Sequence, residues 1–226
     1  TGNHRYYNGR IGEIVDIDSS NTRSYFTTRI EEYFLKLIEY TKENFGEIPK
    51  FIQYVLMYDL QWIVEIRKID HILTGAEIKG LYENIFEILK YIDEDVILSQ
   101  LSIPAALKAH VILMKRHGWR YLDNKGDVVD NFKLNTLFID NFQFMNNYEI
   151  HITGILTNFT KDTKIIAKVD GKQIDAVPLR YPQRDNYSLN FNYGYNHCFK
   201  SIVLFKTNTN ISFKTQYNDL KIEYKH

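Results

Sequence analysis

Cysteine is nearly missing from this chain of 226 residues: Cys198 stands alone. One thiol closes no internal disulfide and builds no thiolate metal cage, so neither a disulfide-stapled fold nor a zinc ribbon is available. Proline (4) and glycine (11) are also scarce, which excludes collagen-like and low-complexity disordered chains. Neither sign of charge is in excess, with 28 Lys+Arg against 28 Asp+Glu. A nucleic-acid binder replaces phosphate counterions with a basic surplus, so nucleic acid is not expected as a partner. No apolar run approaches the ~20 residues that span a bilayer, and no signal peptide opens the chain, so no transmembrane segment is expected. The seven histidines form no HxH or HExxH pattern, and no glycine-rich phosphate loop or nucleophile elbow is present. No metal ligands, and no cofactor bound by this chain, are therefore expected.

Apolar residues make up 44% of the chain, enough for a core, and aromatics 15%, with 17 Tyr and 14 Phe. The pattern of these residues changes near Gly118. Before it, the period is helical. Phe26, Ile30, Tyr33, Phe34, Leu37, Ile38 and Thr41 share a face behind the N-cap candidates Ser19 and Ser20, and Gly46 closes that helix. Pro49 opens a second helix to about Lys68, apolar nearly all round and hence expected at the centre of a bundle. Thr74 and Glu77 form a capping box for a third helix, Asp93 caps a short fourth segment, and Pro104 opens a fifth that ends at His117-Gly118. After Gly118 the pattern alternates. Segments 150–154, 164–169 and 172–177 read as strands, the last two joined by Asp170-Gly171, a hairpin signal. Segments 201–206 and 211–217 read as a further pair. Short strands without intervening helices predict an immunoglobulin-like antiparallel β-sandwich. The expected fold class is thus α+β, an N-terminal helical bundle followed by that sandwich.

Asp16-Ile17-Asp18 has the shape of a metal-binding carboxylate pair. It stands before a helix start, where the helix dipole favours acidic residues without any ligand. Three other stretches carry more information. Tyr6-Tyr7-Asn8-Gly9-Arg10-Ile11-Gly12-Glu13 resembles the loop that closes the catalytic domain of bacterial family 2 glycosyltransferases, roughly Tyr-Tyr-x-x-Arg-x-Gly followed by a polar residue. Pro49-Lys50-Phe51-Ile52-Gln53-Tyr54-Val55-Leu56-Met57-Tyr58-Asp59-Leu60-Gln61-Trp62 resembles a helix of the same enzymes, which build capsule and cell-wall polysaccharides. The pattern there continues with Arg, whereas Ile63 stands here, so no role of that Arg carries over. Val177-Pro178-Leu179-Arg180-Tyr181-Pro182-Gln183-Arg184, with Tyr187 nearby, is similar to the β-domain of these transferases and of teichoic-acid glycerophosphotransferases.

The resemblance implies a division of labour. The sugar-nucleotide fold, its divalent cation and its catalytic carboxylate would precede Thr1. Residues 1–20 would be the tail of that catalytic domain, 21–118 a helical linker or bundle, and 119–226 the sandwich. This chain alone would be inactive, and no catalytic residue is assigned to it. Nucleotide sugar and polysaccharide acceptor would be its partners through the intact enzyme, which would work in the cytoplasm, peripheral to the inner membrane face. Contact candidates for donor or acceptor are Tyr6, Tyr7, Arg10, Gly12 and Glu13. A guanidinium offers a planar fork to a diphosphate, and glycine admits close backbone approach. Tyr58, Asp59, Gln61 and Trp62 form a polar and aromatic cluster on the second helix, where packing competes with acceptor contact. Arg180, Tyr181, Arg184 and Tyr187 form a patch suited to glycan contact or to homo-oligomer formation. The rival reading is a stand-alone carbohydrate-binding or oligomerisation module.

Overall fold

The computed structural model describes residues 22–123, 132–146, 148–179, 186–204 and 209–224. The chain divides into two compact units between Leu98 and Ser99, so the change of pattern at Gly118 falls inside the second.

The first unit is helical in its described residues. Helix α1 (Arg23–Phe26) leads into a π-helical stretch, Ile30–Leu35, which continues as α2 (Lys36–Phe45). Phe26, Ile30, Phe34 and Ile38 are all buried, and they recur at every fourth residue. That spacing exceeds the ~3.6 residues of an α-helical turn, so an ordinary helix would rotate them off a common face. Widening one stretch to i→i+5 bonding restores the alignment. Gly46, at φ 76, ends α2 in the left-handed conformation, its N–H donating to Lys42 O at 2.8 Å. Helix α3 (Lys50–Val64) follows Pro49, and α4 (Gly75–Lys90) starts from the Thr74–Glu77 capping box that the sequence announces. Such a cap contributes about 1 kcal/mol. The short α5 (Glu94–Leu98) packs on α3. Gln53 fastens the two, its amide donating to Ile48 O at 3.1 Å and accepting from the Asp93 N–H at 2.8 Å. Lys50 reaches Asp93 and Asp95 at 2.8 and 2.6 Å.

Helix α3 departs from expectation. It buries Gln53, Leu56, Met57, Leu60, Gln61, Ile63 and Val64, but Phe51, Tyr54, Val55 and Tyr58 are exposed. It is a one-sided helix with an aromatic outer stripe, not a central helix wrapped on all sides. Hydropathy alone does not separate the two, because Tyr and Phe read as apolar wherever they lie.

The second unit carries helices α6 (Ala105–His117) and α7 (Trp119–Asp123) and a single large sheet. Its strands are β1 (Thr136–Asn146), β2 (Glu149–Phe159), β3 (Ile165–Val169), β4 (Lys172–Asp175), β5 (Val177–Pro178), β8 (Tyr195–Leu204), β9 (Ile211–Thr215) and β10 (Asp219–Tyr224), in the order β4-β3-β9-β10-β1-β2-β8-β5. A separate two-stranded ribbon holds β6 (Tyr187–Ser188) and β7 (Phe191–Asn192). The pairings are antiparallel except β1 with β10, which run parallel. Asp170 and Gly171, at φ 48 and 81, make the expected tight turn between β3 and β4.

Here the structure corrects the expected sandwich. The two edge strands, β4 and β5, are consecutive in the chain and separated only by Ala176. Lys172–Asp175 pairs with β3, the Ala176 N–H donates to Ile165 O at 3.2 Å, and Val177–Pro178 pairs with β8. One continuous segment therefore joins both ends of the sheet and curls it into a nearly closed barrel around its own core. Leu137, Ile139, Ile152, Leu156, Ile165, Ala167, Phe199, Val203 and Phe213 fill that core. Alternating inward and outward residues serve a sandwich and a barrel equally well, so the pattern could not choose between them. The expected pairing of 201–206 with 211–217 is also replaced: β8 lies between β2 and β5, and β9 between β3 and β10.

Candidate functional site

The sequence candidates fare unequally. Tyr6, Tyr7, Arg10, Gly12, Glu13, Arg180, Tyr181 and Arg184 lie outside the described residues, as do residues 1–20 and the Asp16–Asp18 pair. Tyr187 is half-buried in β6. The α3 cluster separates into an outer and an inner part. Tyr58 is exposed and meets half-buried Trp62 edge-on, with ring centroids 6.3 Å apart. Asp59 turns toward the first helical stretch, where Arg29 Nη2 lies 3.3 Å from its carboxylate. The Arg29 guanidinium covers the Tyr25 ring at 5.1 Å. Burial, with a hydrogen bond to Asp59, raises the Tyr33 phenol above its ordinary value. Gln61 is 1% exposed, and neither amide atom has a partner among the described residues. These contacts tie α3 to its neighbours, and the motif does not converge on one point.

A groove of ≈ 880 Å³ opens where the barrel closes on itself, in the size range of small-ligand clefts. The β2–β3 turn (161–164), the β4–β5 junction (175–179) and the start of β8 (197–199) line it. The rim is held firmly. Gln216 accepts the Lys164 N–H at 2.7 Å and donates to Asp162 O at 3.1 Å, while the Thr163 N–H donates to Thr160 O at 3.1 Å. On the opposite side the Leu179 N–H donates to Cys198 O at 3.0 Å.

His197 belongs to this groove. It pairs with Leu156 in the β2–β8 ladder and so shares the core-facing side of the sheet. It is 7% exposed, and its Nε2 is buried without a partner among the described residues. Burial pushes the imidazole below its ordinary range, and a ring hydrogen bond to backbone Thr160 offsets part of that shift. Sequence reasoning missed His197 because it stands in no motif. Its one signal is a titratable side chain among the inward positions of a strand.

A second histidine was missed in the same way. His110, on α6, is fully buried. Its Nδ1 lies 3.0 Å from the Tyr121 hydroxyl, and its ring stacks on Tyr193 at 4.4 Å and Phe191 at 5.4 Å. Burial holds its pKa down at about 3, so the ring is neutral at ordinary pH and serves as an aromatic packing element. Among the described residues no cluster of three or more His, Cys, Asp or Glu side chains is placed to hold a metal ion. No described helix is long and apolar enough to cross a membrane.

No family model matches the chain. The chain is similar to a teichoic acid biosynthesis protein. In an alignment of 184 positions that covers 74% of this chain, it is 28% identical to the minor teichoic acid biosynthesis protein GgaB of Bacillus subtilis (strain 168). The match takes in 20% of GgaB, so the chain spans about one fifth of that relative. Among solved structures, S. aureus TarS 217-571 aligns with 85% of this chain and 64% of its own, at 10% identity and a TM-score of 0.28. A likeness that low leaves the fold to stand on its own geometry.

Proposed function

We propose that this chain is the non-catalytic C-terminal region of a bacterial cell-wall polysaccharide glycosyltransferase of the teichoic-acid kind. It positions the polymer acceptor at the cytoplasmic face of the membrane. Sugar transfer from a nucleotide donor, with its divalent cation, belongs to a GT-A domain outside this chain. The similarity to GgaB over 184 residues carries the reading. The Tyr-Asp-Leu-Gln-Trp helix and the stretch from Val177 support it by their likeness to family 2 transferases. In this reading the chain contributes binding and orientation, and Tyr6, Tyr7, Arg10, Gly12 and Glu13 are the candidates for contact with donor or acceptor.

Two assays test it. The 226-residue chain is expected to retain purified teichoic acid polymer, and to turn over none of a panel of UDP- and CDP-linked sugars with Mg²⁺ or Mn²⁺. Transfer or hydrolysis above a buffer control would place chemistry in this chain and refute the division of labour.

The second reading, an assembly module, draws on the outer stripe of α3. Phe51, Tyr54, Val55 and Tyr58 are exposed together, and such aromatic surface favours protein interfaces. Zero formal net charge weakens repulsion between copies. Light scattering distinguishes the two readings. Acceptor positioning predicts a monomer that binds polymer, whereas assembly predicts an oligomer that Tyr58→Glu dissociates.

A further inference from the structure

We infer that the outer face of α3 is the seat on which the catalytic GT-A domain of the same enzyme packs. This rests on the division of labour proposed above, and it gives the aromatic stripe that an assembly module would use a different occupant.

The sequence of α3 is that of a helix covered on all sides, and this chain covers one side of it. Leu56, Met57, Leu60, Ile63 and Val64 are buried. Phe51, Val55 and Tyr58 are exposed on the opposite side, with exposed Tyr54 beside them and half-buried Trp62 one turn on. Phe51, Val55, Tyr58 and Trp62 step by four, three and four residues, the spacing of a seam that packs along another element. A helix that is apolar all round belongs in an interior. Lasting interfaces are likewise more apolar than transient ones, so the stripe fits permanent cover.

Charge narrows the occupant. Within α3 only Lys50 and Asp59 are charged. Asp93 and Asp95 hold Lys50 at 2.8 and 2.6 Å, and Arg29 lies 3.3 Å from the Asp59 carboxylate. An anionic membrane surface selects clusters of Lys and Arg, which this face does not offer. An apolar protein surface fits it.

Area narrows the occupant further. Tyr33 joins the face through its hydrogen bond to Asp59. At ~150–250 Å² per aromatic side chain, the exposed fractions of Phe51 (62%), Tyr54 (42%), Tyr58 (45%) and Tyr33 (37%) leave roughly 300–450 Å² uncovered. Two free copies that associate stably bury about 800 Å² each, well beyond this patch. Domains of one chain pack over as little as about 600 Å² in total, or ~300 Å² a side. The covalent link holds them at high effective concentration, so less contact suffices. The patch thus suits a tethered domain and is too small for a free dimer. The relative GgaB has ample length for one, since the match takes in only 20% of it.

The test is hydroxyl-radical footprinting of the intact enzyme and of the 226-residue chain, both dilute. In the chain alone, Phe51, Tyr54 and Tyr58 are expected to oxidise freely, as does exposed Tyr148 in the second unit. In the intact enzyme their oxidation is expected to fall about fivefold, because the centre of an interface excludes water, while Tyr148 keeps its rate. Tyr58→Glu in the intact enzyme is expected to restore oxidation of Phe51 and Tyr54. The same substitution leaves the melting temperature of the 226-residue chain unchanged, because Tyr58 is exposed there. Equal oxidation in the two proteins overturns the docking face and leaves polymer positioning intact. Protection that appears in the 226-residue chain as its concentration rises makes a second copy the occupant and overturns it too. An intact protein without a GT-A domain overturns the division of labour itself.

Discussion

Phe199→Ala is expected to lower the stability of the barrel by about 3–5 kcal/mol, the range for a large aromatic removed from a packed core. Phe199 is 1% exposed and packs edge-on against Phe213 at 5.5 Å. A loss of that size approaches the total stability of a small domain. The opposing residue gives a sharper version of the same experiment. A Cβ built at Gly154 would lie 2.4 Å from the Phe138 carbonyl oxygen and 2.9 Å from Phe199 Cε1. Strand conformation alone would make Gly154→Ala favourable by about 0.5–1 kcal/mol. Overpacking costs about 1–3 kcal/mol, and the nearest atom here is backbone that cannot step aside. The clash therefore wins, and Gly154→Ala destabilises. In the double variant the ring contact is relieved and the carbonyl contact stays, so the two losses are less than additive. Urea unfolding followed by Trp119 fluorescence reads these changes. Midpoints within error of the parent would show that the barrel does not close around Phe199.

Acid should weaken the second unit through His110. In the unfolded chain its imidazole takes up a proton near pH 6.5. In the folded protein it does so only near pH 3, because it is fully buried. Between those values the unfolded state binds more protons, so stability is complete above about pH 6.5 and falls as pH drops toward about 3. The slope reaches about 1.4 kcal/mol per pH unit, which amounts to a loss on the order of 3–5 kcal/mol over the window. The groups facing the ring are the Tyr121 hydroxyl and the rings of Phe191 and Tyr193, none of which titrates in this range. His110→Phe keeps the stack and removes the proton site. It costs about 1 kcal/mol near pH 7, for the hydrogen bond to Tyr121, and flattens the acid limb. Melting temperature against pH for parent and variant separates this term from carboxylate titration, which the two share. Parallel curves would show that His110 is not buried neutral.

Helix ends were the most legible part of this fold. Gly46, Pro49, Thr74 with Glu77, Pro104 and Gly118 mark them in the sequence and mark them in the structure, because capping and backbone conformation are local properties. The Asp170-Gly171 turn was legible for the same reason. Sheet closure was not. It depends on the segment 172–178 leaving one partner strand for another, a contact between residues far apart in the chain. The outer face of α3 was hidden by residue type, since Tyr54 and Tyr58 look like core residues until burial is known. The seam groove escaped because its residues come from three separate stretches with no shared motif. His110 escaped because its partners Tyr121 and Tyr193 are assembled by the fold.

The central claim is that this chain binds the polymer and leaves the sugar-transfer chemistry to another domain. Equilibrium binding of purified teichoic acid to the 226-residue chain, with no nucleotide sugar present, tests it most directly. The expected result is saturable binding of the polymer. Failure to bind at millimolar repeat units would contradict it.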